Sequence, residues 1–324
     1  MKEKKSYAPV LSWKFWKAVF IHLRPYLLFI SGVAGLAGMA VAPSENISLE
    51  VFLIAFIPFF LGYGFGQALT DCFQIDTDTI SAPYRPLSKG EISPWALGIV
   101  SLTGLVLIGF ALVWLNFYNL IFGMLSIIGL ATYSYFKRNF WVAGPFYNAW
   151  IVTLLPVMGF LAVTGAKPGD LINKTMIFQV LLTFFAYANF VVIGYLKDIS
   201  ADRATHYKTF PVVFGWNKTI IAGDLNVLCS IVISYLLLGN VMNISFIIFL
   251  LASFIAISGQ IFGHLTKRKE ESNAVFPIIS TVRSFILWHL AVVLHYHPGW
   301  LIFCAIFYSC FELSLYFRPE KSQI

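Results

Sequence analysis

The chain has 324 residues, of which 59% are hydrophobic and 11% charged, and a formal net charge of +7. Soluble domains carry about 25% charged residues, so this composition excludes a chain that is mostly water-exposed. Cys72, Cys229, Cys304 and Cys310 have neither metal-ligand nor paired spacing; three lie in apolar runs and read as packing residues, which excludes a disulfide framework.

In chain order, residues 1–25 carry Lys2, Lys4, Lys5, Lys14, Lys17 and Arg24 with no cleavage-site pattern after them. They read as a cytoplasmic amphipathic segment, not a signal peptide. A helix crosses the bilayer core with roughly 20 apolar residues. Runs near that length recur at about 26–43, 51–70, 94–115, 117–136, 143–165, 176–196, 219–239, 243–264, 275–295 and 299–317. They predict an all-α polytopic bundle of nine to ten transmembrane helices. The last two runs are separated only by His295-Tyr296-His297-Pro298-Gly299. The runs are continuous and do not alternate, so a transmembrane barrel is excluded. The expected organisation is one transmembrane domain over 26–317, with a cytoplasmic tail at 318–324.

Lysine and arginine orient the spans. With the N-terminus inside, 19 of the 22 basic residues fall on the cytoplasmic side, Lys167 and Lys174 fall outside, and Arg283 lies within a span. Topology therefore explains the positive charge, and a nucleic-acid partner is not needed. The loops after spans two and six are the long ones, lie on the same side and are four spans apart. Their placement predicts two pseudo-equivalent four-helix halves around a central cavity.

Those two loops are acidic. The first contains Gln67, Thr70, Asp71, Gln74, Asp76 and Asp78, followed by Pro83-Tyr84-Arg85-Pro86-Leu87. On a helix continuing from span two, Asp71, Gln74 and Asp78 share a face with Gln67, and Asp76 points elsewhere. The second contains Tyr195, Lys197, Asp198 and Asp202, with its carboxylates at i and i+4 on one face. Carboxylates at membrane helix ends are costly unless a cation or metal neutralises them. Mg²⁺ prefers a few carboxylates together with water and phosphate oxygens. Two facing acidic pairs therefore suit one or two Mg²⁺ around a diphosphate, with Arg85, Lys197, Arg203 and Lys208 neutralising phosphate charge.

At these residues the chain resembles the UbiA superfamily of intramembrane prenyltransferases. That family's first motif is Asn-Asp-x-x-Asp-x-x-x-Asp, followed five residues later by Pro-x-Arg-Pro-Leu. The run from Pro83 to Leu87 is complete and anchors the final aspartate at Asp78, which places Thr70-Asp71 at the opening pair and Gln74 at the middle aspartate. A shifted register, with Gln67 and Asp71 as amide and first aspartate, leaves Ile75 at the third place. The second motif is met by Tyr195, Lys197, Asp198 and Asp202, with Lys208, Thr209 and Pro211 downstream. Arg24-Pro25, Tyr133 and Lys137-Arg138 also look like family positions, and a tenth span exceeds the nine usual in the family.

The resemblance implies Mg²⁺-assisted ionisation of an allylic prenyl diphosphate and transfer of its isoprenyl group to an aromatic or lipid-like acceptor. It implies Asp71, Asp78, Asp198 and Asp202 as catalytic metal ligands, with Asp76 as a further ligand, and Arg85, Lys137, Lys197 and Lys208 on the diphosphate. Arg24, Gln67, Thr70, Gln74, Tyr133, Asn148 and Tyr195 are expected around the substrate. Tyr63, Phe65, Tyr187 and Phe190 are candidates for shielding a carbocation. A cyclase acting without an acceptor is the alternative, to which Thr70 and Gln74 lend weight. A transporter is a further one, though it would place its charges near the bilayer midplane.

Polar residues remain within the spans. Interhelical hydrogen bonds are the default for Asn148 and Asn189. Asp224 and Asn226 are close enough to the acidic side to reach an acceptor pocket. Arg283 is expected to pair with Glu312, and His289, His295 and His297 are assigned to the opposite interface. The glycines of spans one and two (Gly32, Gly35, Gly38, Gly62, Gly64, Gly66) are expected to allow close helix packing.

Overall fold

A computed structural model describes residues 7–43, 47–239 and 242–318. Lys2, Lys4, Lys5 and Lys321 lie outside the described residues. Helix α1 is Trp13–His22, α2 Leu28–Ala40 and α3 Leu49–Asp71; α4 (Ile75–Ser81) and α5 (Pro86–Lys89) follow in the first long loop. Then come α6 (Pro94–Leu115), α7 (Asn119–Asn139), α8 (Ala143–Val163) and α9 (Lys174–Gly194), with α10 (Ile199–Ala204) in the second long loop. The remaining helices are α11 (Phe210–Leu238), α12 (Ile244–Leu265), α13 (Val275–Tyr296) and α14 (Leu301–Tyr316). Among the described residues, ten helical stretches are long and apolar enough to cross a membrane.

The first stretch is two helices, not one. Ser12 accepts a hydrogen bond from the Phe15 amide and so caps the start of α1. Arg24, at φ 48, and Pro25 then break the helix, and a single 3-10 turn leads into α2. In α1, Phe15, Ala18, Val19 and His22 are buried while Trp13, Trp16 and Phe20 are exposed. That outward aromatic face beside Lys14 and Lys17 suits the headgroup region of a bilayer. Gly215, at φ 77, breaks α11 near its start, a conformation that glycine adopts without penalty.

Neighbouring helices close a ring that runs α2, α3, α6, α7, α8, α9, α11, α12, α13 and back to α2. Because lipid tails are as apolar as leucine, helix association in a membrane relies on close packing and hydrogen bonds. The α2–α8 crossing shows this directly. A Cβ on Gly38 would stand 2.0 Å from the Pro156 carbonyl oxygen, and one on Gly159 would stand 2.2 Å from that of Gly35. The obstacle is backbone, which cannot rotate away. Gly38→Leu is therefore expected to prevent assembly of the detergent-stable monodisperse protein, as read by size-exclusion chromatography. Interhelical hydrogen bonding adds to packing where Gln260 donates to Asn189 at 3.1 Å.

Helix α14 sits outside the ring. Arg283 donates to both carboxylate oxygens of Glu312 at 2.7 Å, as expected from the sequence, and Tyr308 adds a third donor to Glu312 at 2.8 Å. Phe303 and Phe307 pack edge-on against Phe29, Phe52 and Phe56 of α2 and α3. His289 departs from the expected interface position. It is fully buried between α13 and α9, next to the Thr183 hydroxyl at 2.9 Å and the Phe285 carbonyl at 2.7 Å.

Candidate active site

The first acidic segment is not one continuous helix. Helix α3 ends at Asp71, a turn of Cys72, Phe73 and Gln74 follows, and Gln74 opens α4 with φ −123 and ψ 23. The break nevertheless leaves Gln67, Asp71, Gln74 and Asp78 lining one polar cavity of about 110 Å³. Asp71 is buried at its rim and accepts from Arg24 at 2.8 Å, from Gln67 at 2.8 Å and from His22 at 3.1 Å. Asp78 accepts from Arg85 at 2.6 Å.

The facing wall comes from the end of α9, where Tyr195, Lys197 and Asp198 line the same cavity. Lys197 donates to Asp198 at 2.9 Å. Burial alone would raise the Asp198 carboxyl, but the ammonium groups of Lys197 and then Lys137 outweigh it and hold the carboxyl below its usual range. At Asp202 burial prevails over Lys137 and raises the carboxyl. Asp202 is turned away from the cavity; one oxygen accepts from Thr209 at 3.0 Å, and the buried Oδ1 has no hydrogen-bond partner.

Lys137 links the two walls. Its ammonium donates to Gln74 Oε1 at 3.2 Å, lies 3.5 Å from Asp202 Oδ1, and sits over the rings of Tyr195 and Tyr207 at 5.2 and 5.0 Å. Gln74 in turn donates to Ser134 at 3.0 Å. Its carbonyl thus holds a lysine where the resemblance places a carboxylate. Thr77, which lines the cavity, bonds to Thr205 at 3.0 Å and so docks the first long loop on the second, and Glu271, between α12 and α13, accepts from the Ser200 hydroxyl at 3.0 Å.

The polar cavity adjoins an apolar chamber of about 480 Å³ between α3, α6, α7 and α8. Tyr63, Gln67, Tyr133, Asn148 and Tyr187 line both spaces and form the neck between them. Tyr133 shares a hydrogen bond of 2.8 Å with Tyr195, which lines the polar cavity only. Thr70 lines the chamber, and its hydroxyl donates back to the Gln67 carbonyl at 2.9 Å.

The structure thus gathers Arg24, Gln67, Asp71, Gln74, Asp78, Arg85, Tyr133, Lys137, Asn148, Tyr195, Lys197 and Asp198 around the cavity, with Phe190 beside them. It does not bring the others there. Asp76 pairs with Arg138 on the exposed side of α4. Arg203 and Lys208 are exposed. Phe65 packs against Gly104 of α6. Asp224 pairs with His264 at 2.7 Å on the surface, and Asn226 bonds within α11 to Ala222. Sequence reasoning missed His22 and Ser134 as partners of the site, and named Thr209 only as a motif position without its bond to Asp202. The one signal for His22 was its place two residues before Arg24-Pro25.

No three His, Cys, Asp or Glu side chains among the described residues converge tightly enough to hold a metal by themselves. The donors facing the cavity include the carboxylate oxygens of Asp71, Asp78 and Asp198. That set fits a hard cation that keeps water and phosphate ligands, and does not suit a closed protein cage.

A sequence model of the UbiA prenyltransferase family matches residues 31–289. The digeranylgeranylglyceryl phosphate synthase of Thermococcus kodakarensis is 27% identical over 234 residues, which cover 68% of this chain and 77% of that one. The apo structure of a UbiA homolog from Aeropyrum pernix superposes with a TM-score of 0.66 at 18% identity, covering 85% of this chain and 96% of that chain. A UbiA homolog from Archaeoglobus fulgidus bound to GPP and Mg²⁺ gives 0.61 at 18% identity, covering 85% and 99%. At that identity the structural likeness speaks for the fold.

Proposed function

The chain belongs to the UbiA prenyltransferase family and is a multi-pass membrane prenyltransferase; on that premise we propose that it uses Mg²⁺ to transfer an isoprenyl group from an allylic prenyl diphosphate to an aromatic or lipid-like acceptor. The observation that carries this reading is the junction of two unlike spaces. A polar cavity with facing carboxylates and four cationic side chains adjoins an apolar chamber, and three tyrosines line both. An amphiphile with a polyanionic head and a hydrocarbon tail matches both.

In this reading Asp71, Asp78 and Asp198 hold Mg²⁺, which when bound withdraws charge from the diphosphate. Arg24, Arg85, Lys137 and Lys197 take the phosphate oxygens. The bond between the allylic carbon and the bridging oxygen breaks, and its electron pair leaves with the diphosphate. The positive charge left on the tail lies at the neck, where the rings of Tyr63, Tyr133 and Tyr187 can face it. Burial of the tail keeps water from the cation. The acceptor then supplies the electron pair for the new carbon bond and loses a proton. The name of the Thermococcus relative, whose product is a prenylated glyceryl phosphate, supports a lipid-like acceptor. The distribution of basic residues supports a cytoplasmic N-terminus and cytoplasmic acidic loops, with residues 26–317 acting as one transmembrane unit.

Incubation of the detergent-purified protein with labelled prenyl diphosphates and candidate acceptors tests this. Prenylated acceptor is expected with Mg²⁺ and none after chelation. A cyclised hydrocarbon formed without acceptor would replace transfer by cyclisation, and no turnover of any allylic diphosphate would defeat the enzyme reading.

A further inference from the structure

His22 is 1% exposed and does not line the polar cavity, yet both its ring nitrogens are engaged by parts of the site. The Leu87 amide at the start of α5 donates to Nε2 at 3.1 Å. Nε2 is therefore the acceptor nitrogen, and Nδ1 carries the proton donated to Asp71 Oδ2 at 3.1 Å. One side chain from α1 thus ties the last residue of α3 to the loop segment that carries Arg85.

Gln67 donates to the opposite oxygen, Oδ1, at 2.8 Å and lines the cavity itself, so His22 is the neutral partner of Oδ2; the arginines differ from it in kind. Arg24 approaches both carboxylate oxygens at 2.8 Å, and Arg85 stands 3.9 Å away, already committed to Asp78 at 2.6 Å. Both guanidinium groups line the cavity. A diphosphate entering there competes for them, because its oxygens offer the same bidentate geometry as a carboxylate and the group carries more negative charge. His22 cannot be drawn away in the same manner. Its ring is buried outside the cavity and its second nitrogen is pinned by Leu87.

Resting on the reading of the cavity as a Mg²⁺–diphosphate site, we infer that His22 is a positioning residue. It keeps the Asp71 carboxylate aimed into the cavity when the arginines turn to the phosphate. A group that orients a metal-binding side chain from behind typically changes metal affinity by about 10- to 100-fold when removed. Removing only the Leu87 contact leaves the carboxylate held.

Two conservative variants separate these roles. His22→Asn keeps a side-chain N–H near the place of Nδ1 and loses the acceptor for Leu87. His22→Gln keeps an acceptor near the place of Nε2 and loses the donor to Asp71. The readout is thermal unfolding of the full chain in detergent, titrated with Mg²⁺ at fixed inorganic pyrophosphate. The Mg²⁺ midpoint of stabilisation is expected to rise about 10-fold or more in His22→Gln and in His22→Ala. In His22→Asn it stays near that of the unsubstituted chain, even though the unfolding temperature without ligand falls. Equal midpoints in His22→Gln and the unsubstituted chain would overturn the inference, as would a His22→Asn midpoint as high as that of His22→Gln. Should His22→Ala fail to fold, the Asn and Gln pair still decides. Absence of any Mg²⁺–pyrophosphate stabilisation in the unsubstituted chain would instead defeat the diphosphate-site reading itself, and this inference with it.

Discussion

Asp198→Asn is expected to reduce Mg²⁺-dependent turnover by about 10³-fold, comparable to the loss of a principal electrostatic group in other active sites, while leaving the helical bundle assembled. Asp198 ends the 3-10 turn after α9, faces the cavity and is held ionised by Lys197 and Lys137. An amide at that place keeps the shape and deletes the charge a cation needs. Asp202→Asn is expected to behave differently. Asp202 lies behind the cavity wall, where it receives the Thr209 hydroxyl and supplies the anion beside Lys137. Its neutralisation leaves a buried ammonium without that carboxylate, which costs about 3–5 kcal/mol and shows first as a lowered unfolding temperature. Turnover and thermal unfolding measured side by side check the distinction. Asp202→Asn inactive at unchanged stability, or Asp198→Asn still active, would contradict the placement of the two carboxylates.

The contrast between these aspartates shows how far the sequence could be read. Their spacing put both on one helix face, and that inference assumed an unbroken helix. The Asp202 amide does donate to the Asp198 carbonyl at 2.8 Å, but Asp198, at a non-helical φ of −120, is the cap of a separate six-residue helix, so its side chain lines the cavity while that of Asp202 is buried. The same assumption failed at Cys72, Phe73 and Gln74 with less consequence, because the turn there still delivers Gln74 and Asp78 to the cavity. The spans were legible because hydrophobic run length is a property of the sequence itself. The Arg283–Glu312 pair was legible because a charge within a span must find a partner. His22 was not, since a histidine at the end of an amphipathic helix looks the same whether it faces solvent or a buried carboxylate. Asp76 illustrates the opposite error. A carboxylate inside a motif-like run was counted as a ligand, but the helix that carries it turns it outward to Arg138.

Gly62→Phe is expected to shorten the donor that the enzyme accepts, lowering kcat/KM for long-chain relative to ten-carbon diphosphates by about 10- to 100-fold. The glycines of α2 and α3 look alike in sequence and divide in the structure. Gly38 is a backbone contact, whereas a Cβ on Gly62 would meet only Ile108 Cδ1, at 3.8 Å, and would point into the apolar chamber. A benzene-sized group needs roughly 150 Å³, a substantial share of the chamber's 480 Å³ or so. The selection is steric, not hydrophobic. A prenyl tail entering from the bilayer leaves an environment as apolar as the chamber, so each unit gains little transfer energy. Forcing a tail against an inserted ring carries the usual overpacking cost of about 1–3 kcal/mol, which sets the size of the discrimination. Because Gly62 lines the chamber and is absent from the polar cavity, the Mg²⁺ requirement and pyrophosphate binding are expected to stay unchanged. Competition between labelled ten-carbon and twenty-carbon donors in one reaction checks the ratio directly. An equal loss for both lengths would mean that the substitution disturbs the neck and not the chamber, and an unchanged ratio would mean that the tail lies elsewhere.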